Sequence, residues 1–308
     1  MEKTDRKEIL FYYESRQNPN GDPGFDNKPR EMYDQTIMVT DVRLKRTIRD
    51  YAKKILGKKI FVDIDAKGKN VIAFKRLKDF KETATTDDAI EVLLENSWDV
   101  PLFGAFVPET GKSNFANLTG PVQFNQGRST NQVEIIHPQI SSHFVGEEKK
   151  DEKGNIKIKQ HGTFGSFYSV EFALIKFHGV VNPSNFDNLW DKYNKKFNEV
   201  EKELFDCIWY GTNELQTRSK WPQQSHFLLE VTYDNKSYND LSSLVIDVEQ
   251  LKGKIKGLEE MNGKRKFDLK NLVKILNKRK PKSVKVRISE DFETERGDLE
   301  EINKIDFV

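Results

Sequence analysis

The chain has 308 residues, 36% of them hydrophobic and 11% aromatic, which is ample material for a packed core and excludes wholesale disorder. Lys and Arg number 51 against 49 Asp and Glu, a formal charge of +2, so global charge says little about partners. One cysteine, Cys207, excludes an intramolecular disulfide and any multi-cysteine zinc site. No apolar run approaches the ~20 residues of a membrane span. The opening MEKTDRKEIL lacks the apolar stretch of a signal peptide, so a cytoplasmic protein with no membrane partner is expected.

Ile9-Leu10-Phe11-Tyr12-Tyr13 is short and aromatic-rich, as a buried strand is. It runs into Asn18-Pro19-Asn20-Gly21-Asp22-Pro23-Gly24, almost all turn formers, which predicts a long ordered loop. Thr40 as N-cap and Asp41 in the first turn open a helix. Its apolar face is Leu44, Ile48, Tyr51 and Ile55, and Gly57 stops it. Lys45, Arg46, Arg49 and Lys53 are expected off that face, in a stretch (40–60) with eight Lys/Arg and two Asp.

A short helix is predicted from Thr86 to Asn96, and a charged hairpin tip over 146–156. The strongest strand is Phe167 to Phe177, apolar on both faces and therefore central. Asn182-Pro183-Ser184 opens one long helix ending at Gly211, with Trp190, Tyr193, Phe197, Val200, Leu204 and Ile208 on its buried side. Phe227 to Tyr233 is a further strand. Residues 251–288 carry fourteen Lys/Arg against three acids, and the last twenty residues reverse the sign with eight acids and two cations. The order strand, helix, strand material, strand, long helix, strand fits an α+β, ferredoxin-like sheet with helices on one face.

Three features bear on chemistry. The loop at 18–30 offers amides, a carboxylate and backbone N–H groups able to hold phosphate or ribose oxygens. An alternative is a self-bonded turn with no further role. Beside it, Lys45, Arg46 and Arg49 offer cations to a phosphodiester backbone. The segment Gln160 to Tyr168, with His161 and Phe164, could present rings for base stacking. Gly127-Arg128-Ser129 and Thr217-Arg218-Ser219-Lys220 are two more polar loops with cations. The five histidines show no metal-ligand spacing, so no metal or other cofactor is expected. Asp22 and Asp26 read as turn formers rather than acid/base groups. Neither nucleotide-binding glycine motif is present.

These residues also carry a family resemblance. Tyr12 to Pro23 with Asn27-Lys28-Pro29-Arg30, then Val39 to Arg49, Leu102-Phe103-Gly104-Ala105, Leu118 to Phe124 and the strand from Ser166 resemble the backbone subunit of type I CRISPR surveillance complexes (Cascade), most closely subtypes I-B and I-C. The resemblance spans about the first 230 residues; the basic stretch toward the carboxyl terminus matches no motif. It implies a ferredoxin-like palm of the RNA-recognition-motif kind, a fingers insertion at 57–115 and a thumb hairpin at 139–165. It implies a subunit that polymerises along CRISPR RNA and presents it for pairing with target DNA. Other implied partners are copies of itself, a large subunit and a subunit capping the guide 5′ end. The implied RNA contacts are Thr40, Lys45, Arg46 and Arg49, then Asn18, Asn20 and Arg30. Arg128, His161, Phe164, Arg218 and Lys220 complete the expected contact set. Lys28 stands where relatives often carry arginine, which keeps the charge without the bidentate geometry.

The resemblance implies no catalytic task. The competing expectation is an RNA endonuclease of the same superfamily, cutting target RNA with a carboxylate such as Asp22 or Asp26, or processing guide RNA. It calls for a base or metal partner that the sequence does not offer.

Overall fold

The computed structural model describes residues 5–64, 71–109, 114–137, 139–141, 149–150, 156–157, 164–234, 236–246, 248, 265–290, 292–293, 299, 302 and 305–308. The strands of the first half include β1 Arg6–Ser15, β2 Gly21–Asp22, β3 Lys28–Glu31, β4 Ile37–Val39, β5 Gly104–Pro108, β6 Phe115–Thr119, β7 Val122–Phe124 and β8 Gly127–Ser129. The second half adds β9 Ala173–Val181, β10 Gln223–Tyr233, β11 Ser283–Ile288 and β12 Ile305–Phe307. The helices are α1 Asp41–Lys54, α2 Ala73–Lys78, α3 Ala89–Asn96, α4 Val100–Phe103, α5 Trp190–Glu201, α6 Leu204–Asn213 and α7 Lys270–Arg279.

One sheet runs β2-β3-β4-β8-β9-β1-β10-β11-β12, with β7 also paired to β9. Its pairs are antiparallel except β11 with β12. Strand β1 is central because both of its faces are apolar. Ile9, Phe11 and Tyr13 join Ile175 and Phe177 under α1 and α6, while Leu10 and Tyr12 join Phe227, Leu229 and Val231 on the other face. That second face is covered by Leu241, Ile246, Phe267, Leu272 and Leu276. The basic stretch that matched no motif thus supplies α7 and β11, a cover for the sheet and a strand within it, between β10 and β12.

Several elements depart from the sequence expectation. The helix expected from Thr86 begins at Ala89, because the Asp88 carboxylate accepts from the Thr85 N–H (2.6 Å) and holds a turn there. The long helix after Asn182 is broken into a 3-10 segment Pro183–Leu189, α5 and α6. It continues through Gly211, where α6 packs against Tyr51 and Thr47 of α1. The strand expected from Phe167 starts as a short piece, Ser169–Val170, then resumes as β9 and runs four residues past Phe177. Ile55 is exposed rather than on the buried face of α1.

Arg49 is the correction that matters most. Expected off the apolar face, it is 7% exposed and donates to Asp99 at 2.7 Å, and Asp99 is fully buried. Asp99 also accepts from the Phe61 and Val62 N–H groups (2.7 and 3.1 Å). Helical spacing put Arg49 beside the apolar stripe, and the segment after α1 folds back over that flank. Of 139–165, the described pieces Gln139–Ser141 and Phe164–Ser166 pair antiparallel, as do Lys149–Lys150 and Ile156–Lys157. The tip expected over 146–156 otherwise lies outside the described residues.

Candidate nucleic-acid interface

Antiparallel pairing of β1 with β10 sets Ser15, at the exit of β1, against Gln223, at the entrance of β10. The loop leaving β1 and the loop 217–222 are therefore neighbours, joined by the Asn18 N–H donating to the Ser219 carbonyl at 2.8 Å. Helix α1 starts at the same corner. Asn20 Oδ1 accepts from the Thr40 N–H (2.9 Å) and the Thr40 hydroxyl (2.8 Å). Thr40 Oγ1 accepts from the Arg43 N–H at 3.3 Å and so caps the helix. Asn18 Nδ2 closes the turn-rich loop by donating to the Asn27 carbonyl at 2.6 Å.

At this corner the charge of Arg43 acts on Lys220, and neither cation has a carboxylate in ion-pair range among the described residues, although Asp50 attracts Arg43 from farther away. The Arg43 guanidinium donates to Thr47 Oγ1 at 2.9 Å, and its Nε is buried without a partner among the described residues. Lys220 Nζ donates only to Ser219 Oγ (3.2 Å) among the described residues. Burial depresses the pKa of both, and the charge of Arg43 depresses that of Lys220 further. Three acceptors beside them, Ser15 Oγ, Gln17 Oε1 and Asn18 Oδ1, are buried and unsatisfied among the described residues. An anion would relieve the repulsion and complete the cations' hydrogen bonds, and it would sit near the positive end of α1. Arg43 was absent from the expected contacts. Its place three residues after the N-cap, on the first turn beside the loop, was the signal.

The other expected residues divide. On the flank of α1, Lys45 pairs with Asp41 (3.2 Å) and reaches Gln123 Oε1 (3.1 Å). Arg46 bridges Asp50 and Asp63, and Arg49 is committed to Asp99. The expected excess of free charge on this helix is thus largely neutralised by carboxylates from its own turns and from 63–99. Exposed Arg218 lies over the Phe167 ring, 5.7 Å from its centroid, and Tyr168 stacks on His137 at 4.1 Å. Phe164 lies in the paired strand Phe164–Ser166, and His161 lies outside the described residues. Arg30 and Arg128 point to the sheet face opposite α1: Arg30 pairs with Asp22 (2.8 Å), and Arg128 pairs with Asp34.

The carboxylates weighed for catalysis are engaged in turns. Asp22 holds Arg30 and accepts from the Gly24 N–H at 3.0 Å, and Asp26 adopts a positive φ of 50°. Cys207 is fully buried, and burial pushes its thiol up to about 12, so it stays protonated. Among the described residues, His, Cys, Asp and Glu form no group of three able to hold a metal. Among them, no helix is long and apolar enough to cross a membrane.

The model of the family described as "CRISPR-associated protein Cas7" matches residues 5–287. The chain belongs to the Cas7 family. No curated protein sequence matches it. Among solved structures, it resembles a chain of a "CRISPR RNA-guided surveillance complex, pre-nicking", with a TM-score of 0.55 at 13% identity over 98% of this chain and 96% of that one. A chain of another "CRISPR RNA-guided surveillance complex" matches with a TM-score of 0.55 at 12% identity, covering 98% and 94%. At these identities the likeness is one of fold: a Cas7 fold built on a large mixed sheet. The family match also takes in α7 and most of β11, the basic stretch that carried no motif.

Proposed function

We propose that this Cas7 chain is the CRISPR RNA-binding backbone subunit of a type I Cascade complex. Copies line up along the guide and present it for pairing with target DNA, alongside a large subunit and a subunit capping the 5′ end. The observation that carries the reading is the corner where the charge of Arg43 acts on Lys220 and neither has a carboxylate in ion-pair range among the described residues. Cations there suit backbone phosphates, and the unsatisfied acceptors Ser15, Gln17 and Asn18 suit the donor of a ribose 2′-hydroxyl. Neither reads a base, as a subunit repeated along any guide sequence requires.

The order β8-β9-β1-β10, with α1 and α6 in the connections, supports the reading of the core as a ferredoxin-like palm. Residues 57–115 are then the fingers, bound to α1 through Asp63 and Asp99, and 139–165 the thumb hairpin. Within this proposal the guide contacts are Asn18, Arg43, Arg218 and Lys220, with Lys45, Arg46, His161 and Phe164 at the margins. Asn20 and Thr40 hold the loop to α1, and Arg49 is left out because Asp99 occupies it. The chain has no catalytic task, since the carboxylates an endonuclease would use are engaged in turns.

Neutralising the two corner cations relieves their repulsion, so Arg43→Gln with Lys220→Gln should melt no lower than the parent chain. Fluorescence anisotropy with labelled guide RNA should show at least about tenfold weaker binding. The slope of log affinity against log salt should fall by about 0.7 per lost phosphate contact. Unchanged RNA affinity in the folded double variant removes the corner from the site. Cleavage of labelled precursor RNA by the parent chain would favour the endonuclease instead.

A further inference from the structure

Strand β9 carries Lys176 on the sheet face opposite α1, since its neighbours Ile175 and Phe177 belong to the core on the helix side. The residues opposite it are Tyr12 on β1 and Arg128 on β8. A cavity of about 420 Å3 opens there, within the range of small-molecule sites, and its walls include Asn125, Gln126, Arg128, Lys176, Ser242 and Ser243. Lys176 is half-buried in one wall. Its amine donates to the Ser242 carbonyl at 2.7 Å and has no carboxylate in ion-pair range among the described residues. The other titratable groups around it are engaged elsewhere. Arg128 pairs with Asp34 and donates through Nε to Thr36 Oγ1 at 2.8 Å. His178 Nε2 lies 3.1 Å from Glu8, and Tyr12 Oη accepts from the Ile246 N–H at 2.9 Å.

We propose that Lys176 is a covalent attachment site for small neutral hydroxyaldehydes, which enter this cavity and form an imine with its side-chain amine. The site involves no nucleic acid and does not depend on the guide-binding corner.

A lysine amine is a nucleophile only when it is unprotonated, and desolvation without a counter-ion favours that form. Both conditions hold here: the amine is tucked against Ser242, and no carboxylate stabilises its charge. Burial accordingly pulls the Lys176 pKa down to about 8. About a quarter of the amine is then free base at pH 7.5, against about one part in a thousand for an ordinary lysine. The cavity also selects the electrophile. Arg128 and Asp34 cancel each other's charge, so the lining favours a neutral ligand over an ion. The side-chain amides of Asn125 and Gln126 are exposed and have no hydrogen-bond partner among the described residues, so they are available to hydroxyl groups. An aldehyde needs no leaving group and no activation beyond this. The Lys176 nitrogen adds to the aldehyde carbon, and a C=N bond replaces C=O. Two N–H protons pass to the carbonyl oxygen, which leaves as water, and nothing is oxidised or reduced.

The test uses the full chain without RNA, glyceraldehyde as probe and cyanoborohydride to reduce the imine to a stable amine, with the labelled positions read by peptide mass spectrometry. At pH 7.5 Lys176 should be labelled at least about tenfold faster than the exposed Lys54. Its rate should rise with pH and level off above about pH 8, where the amine is fully free base. Propanal, which has the same carbon chain without hydroxyls, separates reactivity from recognition. Asn125→Ala with Gln126→Ala, two exposed loop positions, should slow labelling by glyceraldehyde at least about threefold and leave labelling by propanal unchanged. Lys176 labelled no faster than Lys54, or a rate with no break near pH 8, overturns the inference. Equal effects of the double variant on the two aldehydes, or none on either, overturn the hydroxyaldehyde class. A failed guide-binding corner leaves all of these readings unaffected, because none involves RNA.

Discussion

Arg49 illustrates how a charged residue in a basic helix becomes part of the core. Its partner Asp99 is fully buried and also accepts two backbone N–H groups from Phe61 and Val62, and the Arg49 guanidinium lies over Phe103, 4.8 Å from the ring centroid. Removing one member of such a pair leaves the other desolvated and uncompensated. Arg49→Ala and Asp99→Ala should each destabilise the chain by about 3–5 kcal/mol, read from urea unfolding. Lys54→Ala, on the exposed side of the same helix, should stay within about 0.5 kcal/mol. Equal, small effects would mean that Arg49 is a surface cation after all. Lys45 and Arg46 are intermediate: partly exposed, and tied to carboxylates that neutralise them. Local charge excess was legible in the sequence, whereas pairing depended on which acidic residues the tertiary fold brought alongside.

At the scale of elements, the two glycine-bearing motifs 102–105 and 118–124 owe their form to one contact. Strands β5 and β6 pair so that Gly104 is opposite Thr119. A Cβ on Gly104 would stand 2.0 Å from the Leu118 carbonyl oxygen, and one on Gly120 would stand 2.3 Å from the Gly104 nitrogen. Gly104 also holds φ at +77°, a conformation costly for other residues. Here no flexible side chain can move aside, because the obstacle is backbone. Gly104→Ala or Gly120→Ala should therefore lower stability by at least about 1 kcal/mol and shift the melting temperature down. A variant with wild-type melting would show that the hairpin relaxes freely. The helix pair α1 and α6 obeys similar logic, since their close packing at Gly211 lets α6 run past the residue expected to stop it. Helix-stop glycines and packing glycines look alike in a sequence.

For the whole molecule, the carboxyl-terminal third completes the fold. It covers Leu10, Tyr12, Phe227, Leu229 and Val231, which are all fully buried. Arg279 at the end of α7 donates to Glu8 Oε2 (2.9 Å) and Tyr233 Oη (3.0 Å), linking that cover to β1 and β10. A chain ended after Asp240 would expose this apolar face, so it should lose its cooperative melting transition and bind a hydrophobic dye such as ANS. Retention of a sharp melt would mean that the helix-side core suffices. What the sequence by itself determined was the apolar runs that make β1 a buried strand and β9 a central one, the capped α1, the turn-rich loop and the family motifs. These are local patterns, set by side-chain period and turn chemistry. Only the tertiary structure decided that Arg49 is buried, that the charge of Arg43 acts on Lys220, and that Arg128 and Lys176 line one cavity. Those outcomes join residues up to about 180 positions apart, through strand register and the fold-back of 57–103 over α1, and no local spacing encodes them.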